Sequence, residues 1–262
     1  MDPDRLRRTF DQAAELYDRA RPGYPAELFE DLATEAGLRA GSRILEIGCG
    51  TGQATLPLAE RGYEIVCVEL GAELAAVARR KLARFPSVEV ATATFEKWPL
   101  PPRAFDTVVS ATAFHWIDAG IRVTKAADAL KHGGALATIS THHVAGGDER
   151  FFVAVQACYV RWDPSTTAVS RLPRADDIAS NSDELDQSGR FGRARFRRYE
   201  WEATYSTAEY LDLLRTYSGH RALEPPAREG LLDCIGQLIE ADFGGRVTKR
   251  YLTELRIAAR RS

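Results

Sequence analysis

The run Ile44-Leu45-Glu46-Ile47-Gly48-Cys49-Gly50-Thr51-Gly52 decides how this chain folds. A short apolar stretch, Ile44 to Ile47, breaks into glycines at alternate positions, and helical spacing resumes with Ala54, Leu58 and Ala59. The expected structure is a strand, a tight loop and a helix. Glycine accepts positive φ and lets a ligand lie against bare backbone. The loop also opens a helix N-terminus, where unpaired N–H groups point outward. A nucleotide-like ligand carrying a carboxylate or phosphate suits such a loop.

The glycine spacing narrows the choice. A dinucleotide fingerprint reads Gly-x-Gly-x-x-Gly. Here the third glycine arrives one residue early, at Gly52, and Gln53 takes the last position. Glu46 stands two residues before the loop, where its carboxylate can accept a hydrogen bond from an ammonium group. Downstream, Ile65-Val66-Cys67-Val68 runs into Glu69, an acid placed to hold both hydroxyls of a ribose. Two acids and a glycine loop without lysine fit a ribose joined to a zwitterionic amino acid better than one joined to phosphates.

Glu46-Ile47-Gly48-Cys49-Gly50-Thr51-Gly52, followed by Glu69, resembles the class I S-adenosylmethionine-dependent methyltransferases. The resemblance covers about the first 145 residues as a core, with the tail as sheet closure. It implies an α/β fold: a doubly wound, mostly parallel seven-stranded sheet, Rossmann-like, with a cap inserted after the fifth strand. The implied cofactor is S-adenosyl-L-methionine, with S-adenosyl-L-homocysteine as product. The implied cofactor-binding residues are Glu46, Gly48, Cys49, Gly50, Gly52 and Glu69, with Leu70 packing on the adenine. Many resembling methyltransferases bind the adenine amino group with an acid after the third strand. Thr92 and Thr94 occupy that region here, so Thr94 and the Phe95 backbone N–H are the candidates, with Ser110 at the end of the fourth strand.

Hydrophobic periodicity extends this frame along the chain. Helices are expected over residues 4–20, 26–37, 51–61, 72–84, 121–131, 149–161, 206–216 and 226–241. Strands are expected over 63–69, 88–91, 105–110, 135–140, 191–203 and 247–258, besides the one that opens the glycine loop. In the resembled fold the last strand inserts antiparallel to the rest. Four segments follow: a helical lid, 1–37; the cofactor-binding core, 38–145; a cap insertion, 146–192; and sheet completion with C-terminal helices, 193–262. Within the cap, 163–187 is polar and expected to be mobile.

Composition bounds the function. The chain has 262 residues and a net charge of -2, so no global basic field draws it to nucleic acid or an anionic membrane. No apolar run approaches the ~20 residues of a membrane span. The polar, acidic start is unlike a signal peptide. Cysteines at 49, 67, 158 and 234 include no Cys-x-x-Cys pair, which points to a reducing compartment, a cytoplasmic location and no zinc site. The expected partner is a small-molecule acceptor. Oligomeric state is open.

Candidate chemistry sits at strand ends. Tyr17-Asp18-Arg19-Ala20-Arg21-Pro22-Gly23-Tyr24-Pro25 reads either as a hydrophobic staple or as a lid. Resemblance to small-molecule methyltransferases with such an entry favours the lid, with Arg21 on the methionine carboxylate and Tyr17 and Tyr24 facing the methyl group. His115, in Phe114-His115-Trp116, and His142 and His143, past the fifth strand, are candidate general bases, each with a purely structural alternative. Phe-His-Trp is similar to a sequence in methyltransferases related to those acting on trans-aconitate, which implies a small carboxylic acid. Oxygen (carboxylate or hydroxyl) is the expected acceptor atom; nitrogen or carbon methylation, a non-catalytic cofactor-binding regulator and a dehydrogenase are the rivals. The run Arg190, Arg193, Arg195, Arg197, Arg198 reads first as a solvated sheet face, then as a carboxylate-binding patch, then as an RNA contact.

Overall fold

The computed structural model describes residues 11–163 and 171–261. In chain order its strands are β1 (Arg43–Ile47), β2 (Glu64–Glu69), β3 (Val88–Thr92), β4 (Phe105–Ala111), β5 (Leu130–Gly147), β6 (Arg195–Ser206) and β7 (Arg246–Ala259). Its α-helices are α1 (Ala14–Ala20), α2 (Ala26–Glu35), α3 (Thr55–Glu60), α4 (Ala72–Leu82), α5 (Ala119–Ala129), α6 (Glu149–Ala154), α7 (Gln156–Trp162), α8 (Asp183–Ser188), α9 (Thr207–Arg215), α10 (Ser218–Arg221) and α11 (Pro225–Asp242). The chain divides into two compact units. One comprises residues 23–141, 180–199 and 253–262; the other comprises 1–22, 142–179 and 200–252. The second therefore takes in more of the C-terminal third than the cap delimited by composition.

The sheet has seven strands in the order β3-β2-β1-β4-β5-β7-β6. Pairing is parallel from β3 through β5, with Ile44 opposite both Ile65 and Thr107. Strand order reverses direction between β1 and β4, which leaves a crevice at their carboxyl ends. β7 runs against β5: the Arg260 N–H meets the Gly134 carbonyl at 2.7 Å, while Thr253 and Thr141 hydroxyls lie 3.4 Å apart. The expected doubly wound, mostly parallel sheet is what forms.

Both faces of β1 are covered, which is why its sequence is nearly continuous in apolar residues. Ile44 packs with Leu28, Phe29 and Leu32 of α2 and with Leu58 and Leu82. Leu45 and Ile47 pack on the other face, with Val123, Ala126 and Ala127 of α5. Ile44 and Leu45 are wholly buried, each contributing about 1.5–3 kcal/mol over an exposed side chain. In the second unit, Phe151, Val155, Tyr210, Leu213, Leu231, Ile235 and Val247 form a separate core.

Several expectations need correction. The helix after the glycine loop starts only at Thr55, because Gly48, Gly50 and Gly52 all adopt positive φ and the chain keeps turning. The helix before β5 stops at Ala129, and β5 begins at once at Leu130, paired to Phe105 across an irregular register, and runs on through His142 and His143. Residues 149–161 form two helices that meet at Val155. Part of 163–187 has regular structure: a 3-10 turn at Ala175–Asp177 and α8, whose Glu184 bridges Arg122 and Arg256 at 2.7 Å each. Residues 164–170, and the first residues of the expected helix 4–20, lie outside the described residues. The cysteine spacing hid one pair: Cys158 on α7 and Cys234 on α11 form a disulfide with Cα atoms 5.8 Å apart, because α7 packs along α11. The bonded pair runs against the reducing compartment that spacing suggested. Among the described residues no helix is long and apolar enough to cross a membrane.

Candidate functional site

The crevice at the ends of β1, β2 and β4 collects most of the expected site residues. The Gly48 N–H donates to the Val68 carbonyl at 2.8 Å, tying the loop to β2. Gly48 has φ +70°, and a Cβ there would stand 2.5 Å from the Ala113 Cβ. No other residue fits that bend. Gly52 has φ +88°, and a Cβ would meet Leu82 Cδ1 at 3.3 Å. The Gly52 N–H donates to the Cys49 carbonyl and its own carbonyl accepts from Leu56, which carries the loop into α3. Cys49 is buried, and the neighbouring Cys67 thiol and burial push its own thiol well up, so it offers backbone rather than nucleophile.

Glu69 fixes the loop from the side. One carboxylate oxygen accepts from the Gly50 N–H and the other from the Gly71 N–H, both at 2.8 Å.

Glu46 is the anomaly. It is wholly buried, and neither oxygen has a hydrogen-bond partner among the described residues. The Thr55 hydroxyl lies close enough to favour the charged form without reaching hydrogen-bond geometry. Burial dominates, with the Glu69 charge adding to it, and pushes the carboxyl pKa up to about 7. An orphaned buried carboxylate is costly and calls for an external donor. The Thr51 hydroxyl, wholly buried within the glycine loop, has no hydrogen-bond partner among the described residues either.

Around the rim, Leu70 is half-buried directly after Glu69. The Thr94 hydroxyl is buried without a hydrogen-bond partner among the described residues, while its carbonyl accepts from Lys97 and Trp98. The Phe95 ring is core, 5.2 Å from the Lys125 ammonium, which leaves its main chain as the only part on offer. Ser110 is wholly buried and donates to the Ile47 carbonyl at 2.9 Å, so it clamps β4 to β1. The Tyr24 and Thr112 hydroxyls lie 3.1 Å apart. Thr112, which composition did not single out, has φ +52°, a strained value for a β-branched residue. His115 is exposed and tilts on Trp116 with ring centroids 4.9 Å apart. Desolvation by the surrounding protein and the Arg122 charge hold its pKa below the ordinary imidazole value, so the ring is a neutral base at pH 7.

Tyr17, Arg21 and His142 belong to the other unit. There the Arg21 guanidinium donates to the Thr216 hydroxyl and carbonyl at 2.8 and 3.0 Å and lies between the rings of Tyr17 and Tyr217. The arginine run is largely paired: Arg195 and Arg197 with Glu35 at 2.6 Å, Arg198 with Glu254 at 2.8 Å, Arg190 with Asp128. Those carboxylates favour the solvated-face reading over an RNA contact.

Residues 44–134 match a family model described as a methyltransferase domain. An uncharacterized methyltransferase of Mycobacterium tuberculosis is 34% identical over 131 residues, which are 50% of this chain and 51% of that protein. An uncharacterized methyltransferase of Schizosaccharomyces pombe is 32% identical over 133 residues, 50% of this chain and 52% of that protein. The chain thus spans about half the length of such curated relatives. Among solved structures, a putative type II methyltransferase from Anaeromyxobacter dehalogenans superposes with a TM-score of 0.59 at 24% identity, covering 92% of this chain and 97% of that one. At that identity the likeness concerns the fold.

Proposed function

We propose that this chain, whose residues 44–134 form a methyltransferase domain, transfers a methyl group from S-adenosylmethionine to a small-molecule acceptor, at a carboxylate or hydroxyl oxygen. The unpartnered, buried Glu46 carboxylate beneath the glycine loop carries the reading: its orphaned oxygens match an ammonium, and the phosphates of a dinucleotide would be repelled there.

The residues present fit the cofactor. Glu46 would take its ammonium, Glu69 its ribose hydroxyls, and the backbones of Gly48, Cys49, Gly50 and Gly52 its amino-acid half. Leu70 would pack on the adenine, with Thr94 and the Phe95 main chain at the purine edge, while Ser110 keeps β1 and β4 aligned. S-adenosylmethionine supplies an already activated methyl on a sulfonium. The chain's task is then to exclude water and to aim an acceptor, worth about 7–11 kcal/mol when geometry is well held. The neutral His115 takes the proton from a hydroxyl acceptor; a carboxylate acceptor needs no base. Tyr24, anchored on Thr112, and Tyr17 are proposed to face the methyl, Arg21 to bind the methionine carboxylate, and His142 to serve as an alternative base.

Unfolding midpoints with S-adenosylhomocysteine and with NAD test the cofactor, since only a bound ligand raises the midpoint. Tritium transfer from labelled cofactor to candidate acids, alcohols and amines tests the reaction. A midpoint raised by NAD alone would refute the cofactor. Cofactor binding with no transfer to any acceptor would favour a regulatory protein.

A further inference from the structure

Side chains on β7 alternate between faces, so Val247, Lys249 and Tyr251 share one. Val247 and Tyr251 are buried, and Lys249 lies between them at 3% exposure. An ammonium removed from water costs several kcal/mol unless a counter-charge and hydrogen bonds replace its hydration. Lys249 has a single long hydrogen bond recorded among the described residues, to the Tyr217 hydroxyl at 3.3 Å, and no ion pair there. Its surroundings add positive charge instead. Arg21 stands 4.5 Å from the Tyr217 ring centroid and Lys249 5.3 Å from it. His143 Nε2 lies 3.4 Å from the same hydroxyl.

The Lys249 ammonium also lies over the rings of Tyr210 and Tyr251, 5.9 and 5.4 Å from their centroids, contacts that bring no full counter-charge. Burial pushes the phenols of Tyr205, Tyr210 and Tyr251 up, so none supplies a phenolate. Burial, then Lys249 and Arg21, pull the His143 imidazole down, so it is neutral. His143 is exposed to solvent. Arg21 and Tyr217 are half-buried, so the groups around the buried ammonium reach solvent.

We propose that Lys249, the Tyr217 hydroxyl, His143 and the remaining N–H groups of Arg21 form a binding site for the oxyanion, carboxylate or phosphate, of a small acidic ligand. Lys249 supplies the charge, and Tyr217 and His143 supply directional donors.

The full chain is titrated without cofactor against succinate and against inorganic phosphate, with sodium chloride at equal ionic strength as the blank. Unfolding midpoint and calorimetric affinity are read for wild type, Lys249→Met, Lys249→Gln and Arg250→Met. Arg250 points to the opposite face and pairs with Glu202 at 2.7 Å, so its variant serves as the control. The expected result is a midpoint rise for one or both anions in wild type and Arg250→Met, with apparent affinity falling at least about tenfold in both Lys249 variants. Equal responses in all four proteins, or none in wild type, overturn the site. Repeating the titration with saturating S-adenosylhomocysteine separates the sources. Retained binding supports an anion site separate from the cofactor. Loss of binding with S-adenosylhomocysteine but not with methylthioadenosine, which lacks the amino-acid half, means the cofactor's own carboxylate fills the site and overturns a site for a separate acidic ligand.

Discussion

Replacing Glu46 by glutamine should stabilise the ligand-free protein while weakening its hold on the cofactor. In the fold the carboxyl pKa is pushed up to about 7 from the unfolded 4.5, chiefly by burial. A raised folded pKa means that ionisation opposes folding. The penalty is absent below pH 4.5, grows between 4.5 and 7 by about 1.4 kcal/mol per pH unit, and levels off above 7 at about 3 kcal/mol. Glutamine keeps the shape without the charge. Glu46→Gln should therefore gain about 3 kcal/mol at pH 8, or roughly 6–12 °C in unfolding midpoint, and nothing at pH 4. Cofactor binding should invert the order, because an ammonium beside the carboxylate stabilises its ionised form. At pH 6, where about nine-tenths of the group is protonated, binding of S-adenosylhomocysteine to wild type should release close to one proton, and to the variant none. Calorimetry in two buffers of different ionisation enthalpy measures that release; urea unfolding across pH 4–8 measures the stability. A variant no more stable than wild type at pH 8, or a gain that does not change between pH 4 and 8, would refute the reasoning.

Gly48→Ala places a Cβ 2.5 Å from Ala113 at φ +70°; it should cost about 2–4 kcal/mol in urea unfolding and abolish S-adenosylhomocysteine binding, and near-wild-type values in both would show that the bend tolerates a side chain. Reducing the Cys158–Cys234 bond opens a loop of 76 residues; the chain-entropy model gives a loss of about 4 kcal/mol, read as a lower unfolding midpoint in wild type with reductant and no further change in Cys158→Ser. His115→Ala should lower turnover on a hydroxyl acceptor by about 10²–10⁴-fold with cofactor affinity unchanged. As a base His115 would act in its neutral form, and its pKa is held below the ordinary imidazole value, so the wild-type rate should rise with pH with a midpoint below that value; a midpoint above it would remove His115 from the base role.

The glycine loop, its flanking acids and the alternation of strands and helices are short-range properties, and residues 43–52 and 64–69 carry them whatever surrounds them. Ile44 to Ile47 can only be buried on both faces, Gly48 to Gly52 can only turn, and Glu69 must follow the second strand; the sheet's parallel half follows from those constraints. Packing decided the rest. Lys249 looks like any charge in a β-strand until Val247 and Tyr251 are seen buried on its face. Val247-Thr248-Lys249-Arg250-Tyr251 did hold the signal, a lysine in an inward slot of a period-2 pattern. Cys158 and Cys234 meet across 76 residues, Arg195 and Arg197 reach back to Glu35, and Glu184 ties α8 to Arg122 and Arg256. Periodicity tells which side of an element faces inward, but not which distant element it faces. Counter-ions, orphaned carboxylates and lone buried ammonium groups are defined by that second fact, so only the folded chain could reveal them.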